Sequence, residues 1–224
     1  MLTNIEAVIF DLDGTLLDSM QVWKNIDIDF LGKRQLTPPP DLSRQIEGMS
    51  FCETAACFKE LFSLSESIEE IQDIWHSMAF DKYKNEIKLK EGAYDFLNIL
   101  KDRNIKLGIA TSNSRKLVET CLISLEIIDM FDVIITGNDI KNGKPSPDIY
   151  LKAADYMNVS PEKCLIFEDV PNGIQAGINA KMRTCAIYDD FSAILTDEKK
   201  ELADYYIENY SDILEYINES SKDN

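Results

Sequence analysis

Short apolar segments rich in β-branched residues recur along this chain of 224 residues, and helical patterns alternate with the later ones. The strand candidates have the sequences AVIF, KLGIAT, DVIIT, KCLIFE and RTCAI, at 7–10, 106–111, 132–136, 163–168 and 183–187. The predicted helices between the later strands lie near 114–125, 147–157 and 171–180. Apolar strands that alternate with helices are typical of a parallel sheet buried on both faces. The sequence therefore predicts an α/β fold with helices on both faces of a parallel sheet.

Residues 11–105, between the first two strand candidates, contain no other clear strand. Four segments in this stretch have helical patterns instead, at 20–33, 40–49, 51–62 and 67–87. A single crossover helix between parallel strands requires far fewer residues. We therefore predict an all-α domain over 19–86, inserted after the first strand, and a core domain formed by 1–18 and 87–224.

The composition restricts the partners and the compartment of the protein. The formal net charge is −17, whereas nucleic acid and anionic membranes bind clustered positive charge, so neither is an expected partner. The N-terminus lacks the features of a signal peptide, and no apolar segment approaches the ~20 residues that span a bilayer. The five cysteines include no C-x-x-C pair, which favours buried, reduced thiols. We predict a cytoplasmic protein that is a monomer or weak dimer.

Polar residues follow the predicted strands at their carboxyl ends, where open α/β sheets bind ligands. Asp11 follows the first strand, and Thr111 and Thr136 end the next two. Glu168 and Asp169 lie at the end of the fourth. A parallel sheet places the carboxyl ends of its strands along one edge, so these distant residues are expected to meet in one acidic crevice.

Four carboxylates, including Asp13, would give that crevice a charge of about −4, and groups this close raise one another's pKa and destabilise the fold. Mg²⁺ prefers oxygen ligands, often carboxylates together with a phosphate, and Lys144 supplies a fixed cation if its loop reaches the same edge. Such a site suits phosphoryl transfer, in which one carboxylate attacks phosphorus and another carboxyl group moves the proton. The spacing of Asp11 and Asp13 alone does not assign these two roles.

Four motifs in a fixed order resemble those of the haloacid dehalogenase superfamily, over about residues 6–190. The four motifs are DLDGTLLDS (11–19), GIATSNS (108–114), GKPSPDIY (143–150) and FEDVPNGIQAG (167–177). The helical segment after the first motif resembles the cap domain of the β-phosphoglucomutase-like phosphatases. The resemblance implies a Rossmann-like core with an α-helical cap. It also implies a Mg²⁺-dependent phosphatase that acts on a small phosphorylated metabolite, for example a sugar phosphate, through an aspartyl-phosphate intermediate.

The same resemblance implies a role for each motif residue. Asp11 is expected to be the nucleophile and Asp13 the acid/base, whose backbone carbonyl also binds the metal. Lys144 is expected to be catalytic by stabilising negative charge. Three consecutive residues of the second motif are expected to bind phosphate oxygens through one hydroxyl and two backbone amides: Thr111, Ser112 and Asn113. The expected Mg²⁺ ligands are Asp11, Asp13, Glu168 and Asp169.

Departures from the family pattern rank the alternative functions. Asp13 stands where haloacid dehalogenases proper have an aromatic residue and phosphonatases a small one, which argues against both activities. The sugar-phosphate mutases of the family that this chain resembles carry a His and an Arg in the cap. The corresponding residues of this chain are Trp23 and Phe51. A mutase must hold a second phosphate while the sugar turns over, so we rank phosphatase above β-phosphoglucomutase-type isomerase. A phospho-accepting receiver module, which has another motif order and no helical insert, is the remote alternative.

Several residues outside the motifs are expected to have structural roles. His76, the single histidine, and Arg115 are predicted to be partly exposed helix residues outside the site. Trp23 and Phe51 are predicted to pack inside the helical domain, with the substrate pocket as the alternative. The segment DEKKELADYY (197–206) is predicted to be a solvated face, and the tail NESSKDN (218–224) a frayed terminus.

Overall fold

Eight strands form two sheets in the computed structural model, which describes residues 1–214. In chain order the strands are β1 (Ala7–Phe10), β2 (Leu17–Asp18), β3 (Lys88–Leu89), β4 (Lys106–Thr111), β5 (Val133–Thr136), β6 (Cys164–Glu168), β7 (Arg183–Ile187) and β8 (Tyr205–Ile207). Six of them form one sheet in the order β5-β4-β1-β6-β7-β8, and every neighbouring pair is parallel. β1 is therefore a central strand.

Nine α-helices lie between β2 and β8, and residues 210–214, after β8, are also helical. In chain order the nine are α1 (Met20–Gly32), α2 (Leu42–Gln45), α3 (Phe51–Leu61), α4 (Ile68–Asn85), α5 (Ala93–Asp102), α6 (Arg115–Ser124), α7 (Asp148–Met157), α8 (Pro171–Asn179) and α9 (Thr196–Leu202). The predicted α/β fold, with a helical segment inserted after the first strand, is confirmed.

Helices cover both faces of the large sheet because alternate side chains of a strand point to opposite faces. Val8 and Phe10 of β1 belong to an apolar core that also contains buried residues of α5 and α6. Ala7 and Ile9 belong to a second core, which contains buried residues of α7 and α8. All four side chains of β1 are fully buried, as expected for a strand between two layers of helices.

The inserted segment contains α1 to α4, and its helices begin where the sequence supplies N-caps. Ser50 precedes α3 and accepts a hydrogen bond from the backbone N–H of Glu53, whose carboxylate accepts one from the Ser50 N–H. Ser67 and Glu70 make the same pair of bonds at the start of α4. Each pair satisfies two backbone donors that a helix otherwise leaves without partners, and so fixes the starting residue.

A short antiparallel pair of strands, which we did not predict, joins the two parts of the chain. Leu17 of β2 pairs with Leu89 of β3, and Asp18 pairs with Lys88. Helices α1 to α4 lie between β2 and β3 in the chain. Two-residue strands carry too little alternation to be distinguished from loops in a sequence.

The prediction of a solvated face over DEKKELADYY holds for its other charged residues, Asp197, Glu198, Lys200, Glu201 and Asp204, which are exposed, and is wrong for Lys199. This segment contains most of α9 and the first two residues of β8, which extends the sheet beside β7. Lys199 is fully buried there, and its ammonium group donates hydrogen bonds to the Ile187 carbonyl at 3.1 Å and to Ser192 Oγ at 2.9 Å. A count of charged residues does not reveal a lysine whose head group is satisfied inside the fold. The tail at 218–224 lies outside the described residues.

The cysteines differ in burial. Three of them, Cys121, Cys164 and Cys185, are buried as predicted, and burial raises the pKa of the Cys121 and Cys164 thiols to about 12. Cys57 is partly buried, and Cys52 is exposed, so the prediction of a buried thiol is wrong for Cys52. Within the described part of the chain, no helix has the length and apolarity that crossing a membrane requires.

Candidate active site

Three strands end side by side at the edge of the sheet where the candidate site lies. β1 pairs with both β4 and β6, so that Phe10 lies opposite Ile109 on one side and Phe167 on the other. Asp11, the next residue, therefore lies between the ends of β4 and β6. The structure brings all eight site residues of the sequence hypothesis to the lining of a single cleft: Asp11, Asp13, Thr111, Ser112, Asn113, Lys144, Glu168 and Asp169.

Lys144 is the cation at the bottom of this cleft. Its ammonium group lies 2.6 Å from Asp11 Oδ1 and 2.5 Å from Glu168 Oε1, and 3.3 Å from the Ala110 carbonyl oxygen. The Lys144 side chain is only 3% exposed, so these ion pairs are shielded from solvent. Burial lowers the pKa of Lys144, but the carboxylates of Asp11 and Glu168 outweigh it and raise that pKa above its usual value. Lys144 therefore remains charged at neutral pH.

The carboxylates of Asp11, Glu168 and Asp169 form a buried cluster. One oxygen of each lies within 4.8 Å of the others. Burial raises the pKa of Asp11 well above its usual value; Lys144 opposes the effect, and the charges of Glu168 and Asp169 add to it. Burial, followed by the charge of Glu168, raises the pKa of Asp169 to about 7. Three converging carboxylate oxygens whose charge Lys144 compensates only in part are a ligand set that fits Mg²⁺.

Two hydroxyl groups that the sequence hypothesis missed orient the acid pair. Thr15 Oγ1 donates to Asp169 Oδ1 at 2.9 Å, and Tyr150 OH donates to Glu168 Oε1 at 2.5 Å. Thr15 is part of the first motif, so its position could have identified it. Tyr150 follows Lys144 by six residues and lies in α7, where a buried aromatic residue looks like ordinary core.

Two glycines allow the backbone to pass close to the acid pair. Gly14 has a φ of +81°, as expected for the turn after the first strand, and a Cβ there would lie 2.5 Å from Asp169 Oδ2. A Cβ at Gly173, in the first turn of α8, would collide with the Glu168 carboxylate. Any other residue at these two positions would displace the carboxylates.

Asp13 lies in a different environment from Asp11, although only one residue separates them in the chain. Its Oδ1 atom accepts hydrogen bonds from Ser19 Oγ at 2.6 Å and from Tyr83 OH, and its Oδ2 atom accepts one from Asn113 Nδ2 at 2.8 Å. Tyr83 OH in turn accepts from Trp23 Nε1 at 2.6 Å and from Asn113 Nδ2 at 3.1 Å. Three neutral donors therefore hold the Asp13 side chain. The carboxylates that converge as possible metal ligands do not include that of Asp13.

These contacts connect Asp13 to the inserted helices. Tyr83 belongs to α4 and Trp23 to α1, and Tyr83 is 1% exposed. Burial, followed by the charge of Asp13, raises the pKa of the Tyr83 hydroxyl well above its usual value, so it remains a donor. No sequence pattern relates Tyr83 to Asp13, 70 residues away.

The second-motif residues line the cleft next to Asp11. Thr111 ends β4 and is 1% exposed, and its Oγ1 accepts a hydrogen bond from the Asn113 N–H at 3.1 Å. Ser112 connects the core to the inserted segment, because its carbonyl accepts from the Phe51 N–H at 2.9 Å. Thr136 does not line the cleft; it is buried, and its backbone N–H and hydroxyl both donate to Asp139.

Three further residues differ in their distance from the site. Trp23 and Phe51 pack against each other, with ring centroids 6.0 Å apart, and both also line the cleft. His76 is half-buried on α4, and its Nε2 atom lies 2.5 Å from Ser114 Oγ. Arg115 is exposed and pairs with Asp139 at 2.8 Å, away from the cleft.

The cleft lies between the inserted helices and the core and has a volume of about 1110 Å³. The carboxylate cluster occupies one end, and residues from α1, α2, the start of α3 and the segment before α9 line the remainder. A phosphate group fills a small part of such a volume, so the cleft has room for the rest of a small organic substrate.

Known proteins similar to this chain share most of its length. The family described as "Haloacid dehalogenase-like hydrolase" matches residues 8–187, which include all eight candidate residues. The chain is 32% identical over 180 residues to the "Phosphorylated carbohydrates phosphatase" of Thermotoga maritima, a match that covers 79% of this chain and 82% of that protein. It is 29% identical over 188 residues to the "Pyrophosphatase PpaX" of Bacillus cereus, with 82% and 83% covered.

The fold is also similar to solved structures. The crystal structure of β-phosphoglucomutase from Clostridium difficile superimposes with a TM-score of 0.81 at 25% identity, and the match covers 98% of each chain. The similarity therefore includes the inserted helices as well as the sheet.

Proposed function

Because the chain belongs to the haloacid dehalogenase-like hydrolases, we propose that it is a Mg²⁺-dependent phosphatase of small phosphorylated metabolites, with sugar phosphates among the candidates. The observation that carries this proposal is the buried group formed by Asp11, Lys144, Glu168 and Asp169 at the closed end of a cleft. In the same proposal, residues 19–86 form the cap over a core of 1–18 and 87–224.

Asp11 is the proposed nucleophile. Lys144 binds its Oδ1 atom, and among residues 1–214 no side chain donates a hydrogen bond to its Oδ2 atom, which is therefore available for attack. Attack of this oxygen on phosphorus forms an aspartyl phosphate and breaks the bond between phosphorus and the leaving-group oxygen. The Lys144 ammonium group remains beside the reacting carboxylate and stabilises the charge that develops on the phosphoryl oxygens.

Asp13 is the proposed acid/base. Its carboxyl group donates a proton to the leaving-group oxygen in the first step and then, as a carboxylate, accepts a proton from the attacking water. That water cleaves the bond between phosphorus and Asp11 and regenerates the enzyme. The three donors that hold Asp13 fix its direction, which supports a role for Asp13 distinct from that of Asp11.

The expected metal ligands are the side chains of Asp11, Glu168 and Asp169 together with the backbone carbonyl of Asp13. Bound Mg²⁺ would supply positive charge next to the phosphate and so offset the repulsion between the substrate and the carboxylates. Thr111 and the amides of Ser112 and Asn113 are the proposed phosphate-binding groups on the opposite side of Asp11. In the structure the Asn113 N–H donates to Thr111 Oγ1, so this bond must yield when phosphate binds.

The experiment that tests this proposal measures release of inorganic phosphate from p-nitrophenyl phosphate with MgCl₂. Asp11→Asn should lower kcat by at least about 1,000-fold, because an amide oxygen is a poor nucleophile. Asp18→Asn is the matched control, since Asp18 belongs to the same motif but is exposed on β2, and it should retain wild-type activity. Wild-type turnover by Asp11→Asn would refute the nucleophile assignment, and activity that survives EDTA would refute the metal.

The similarity to β-phosphoglucomutase over the whole chain keeps an isomerase as the second candidate. Incubation with β-glucose 1-phosphate distinguishes the two. Release of inorganic phosphate supports the phosphatase, whereas accumulation of glucose 6-phosphate supports the mutase and would replace the present proposal.

A further inference from the structure

The outer part of the cleft is where the leaving group of a phosphate ester would lie, if the proposed function is correct. One wall is the face of α1 that bears Met20, Trp23, Asp27 and Ile28, which recur at the helical spacing. The opposite wall comes from the core segment at 190–198. The chemistry of these walls therefore determines which leaving groups fit.

The charged side chains of the outer cleft are mostly acidic. Five carboxylates line it: Asp27, Asp41, Glu47, Asp190 and Glu198. Among the described lining residues, Lys24 and Arg44 are the two cations there. Arg44 pairs with Glu198 at 3.5 Å, and Lys24 Nζ lies 5.5 Å from the centre of the Phe191 ring. With five carboxylates and two cations, the outer cleft would present an excess of negative charge to a second phosphate or carboxylate on a substrate. The inner cation, Lys144, does not offset this excess, because it already pairs with Asp11 and Glu168.

Asp27 is the acid best placed to contact a leaving group. It lies midway along α1 on the cleft face, and no side chain within residues 1–214 donates a hydrogen bond to it. Burial raises the pKa of Asp27 to about 7. A carboxyl group in this situation gains from a hydroxyl or ammonium donor and loses further from an anion.

The rest of the outer cleft is apolar. Phe51 stands between Trp23 and Trp75, with ring centroids 6.0 Å and 5.6 Å away, and all three line the cleft. Trp75 is 2% exposed, and its indole N–H has no hydrogen-bond partner in the described part of the chain. On the opposite wall the side chain of Ile194 is 92% exposed. Because Phe51 and Trp75 are buried, the apolar surface that gains from contact with a ligand is mainly that of Trp23 and Ile194.

We propose that the cleft selects phosphate monoesters whose leaving group is uncharged and presents an apolar face to Trp23, and that it disfavours substrates with a second anionic group. Inorganic pyrophosphate and sugar bisphosphates are therefore poor substrates. The inference deepens the proposed phosphatase function and depends on it.

The first test compares fructose 6-phosphate with fructose 1,6-bisphosphate, which differ by one phosphate. We expect kcat/KM to be at least 10-fold lower for the bisphosphate, with the difference carried by KM. Inorganic pyrophosphate should behave like the bisphosphate. Equal or higher kcat/KM for the bisphosphate would overturn the inference.

Charge variants then show whether the outer cleft causes the difference. Ile28→Lys adds a cation at a cleft position that is 47% exposed, and it should lower the KM for the bisphosphate at least 5-fold relative to fructose 6-phosphate. Ile123→Lys is the matched control, because Ile123 is 60% exposed on α6 outside the cleft and its substitution adds the same net charge. Asp27→Asn should act in the same direction as Ile28→Lys, with Asp29→Asn, an exposed position of the same helix, as its control. Equal effects of the cleft variants and their controls would overturn the inference.

The apolar wall is tested with benzyl phosphate and ethyl phosphate, two esters of primary alcohols that are similar in leaving-group reactivity and differ in their apolar surface. We expect kcat/KM at least 10-fold higher for benzyl phosphate, and equal values would contradict the role of the aromatic wall. Absence of phosphate release from every ester would overturn the phosphatase function and this inference together. Release with preference for the bisphosphate would overturn the inference alone.

Discussion

Replacing Lys144 by methionine removes the one cation that contacts the carboxylates of Asp11 and Glu168 among residues 1–214. Methionine keeps much of the length and the apolar stem of lysine, so packing changes little. The three side chains are 3%, 11% and 0% exposed, so solvent does not compensate the remaining charge. Removal of one partner from a buried ion pair costs about 3–5 kcal/mol. We expect the free energy of unfolding of Lys144→Met to fall by this amount at pH 8 in EDTA.

The destabilisation should become smaller as the pH is lowered. Burial raises the pKa of Asp11 in the wild type and Lys144 opposes that rise, so the pKa of Asp11 should be higher still in the variant. A group whose pKa is raised by folding contributes its full stability below its unfolded pKa, about 4 for aspartate, and that contribution is lost as the pH rises through the folded value. The variant is therefore penalised more at pH 8 than at pH 5.

Urea unfolding followed by tryptophan fluorescence at pH 8 and pH 5 measures both effects. Lys199→Met is the matched control, because Lys199 is also fully buried but its ammonium group donates to neutral oxygens of Ile187 and Ser192. We expect the control to lose about 1–2 kcal/mol at pH 8, the typical value of one or two hydrogen bonds. Similar losses in the two variants at pH 8, or a larger loss for Lys144→Met at pH 5, would refute the reasoning.

Three further predictions concern other parts of the site. Tyr83→Phe removes a donor to Asp13 and should lower the free energy of unfolding by about 1–3 kcal/mol. The same variant should lower kcat by about 10-fold and change KM less than 2-fold. An unchanged kcat would contradict a positioning role for Tyr83. Mg²⁺ at about 100 times its Kd should raise the free energy of unfolding of the wild type by about 2.7 kcal/mol in urea unfolding. The Asp169→Asn variant should lose most of this stabilisation by Mg²⁺. Equal stabilisation of the wild type and the variant would exclude Asp169 as a ligand. Burial, followed by the charge of Lys116, lowers the pKa of His76, so the single histidine should titrate below 6.5 by NMR, and a midpoint above that value would contradict its half-buried position.

The sequence was sufficient to predict the sheet because its strands are unusually distinct. The segments at 7–10, 106–111 and 183–187 agree with β1, β4 and β7 to the residue, since each is an apolar run bounded by polar residues. β8 was missed because it has only three residues and follows the charged helix α9. Short edge strands depend on the neighbouring strand more than on their own sequence.

Asp11, Thr111, Glu168 and Asp169 could be named in advance because each follows or ends a strand at one edge of the sheet, whereas Ser112 and Asn113 were named only from the resemblance to the family motifs. The partners of the site residues could not be named in advance. Tyr150 and Tyr83 orient Glu168 and Asp13 from helices whose periodicity predicts only a buried aromatic residue. Which carboxylate such a hydroxyl reaches depends on how the helices pack, and the helical period alone carries no such information.

The contrast between Asp11 and Asp13 shows why packing, rather than spacing, separates the proposed roles. Both follow the same strand and carry the same functional group, yet Asp11 pairs with an ammonium group and lies within 4.8 Å of two further carboxylates, while Asp13 accepts hydrogen bonds from neutral donors. Different environments for two neighbouring carboxyl groups are how one site obtains both a nucleophile and an acid/base. Since Tyr83 reaches Asp13 from α4, the direction of the Asp13 carboxyl group depends on the position of the inserted helices. A substrate that holds those helices against the core therefore also holds Asp13 in place.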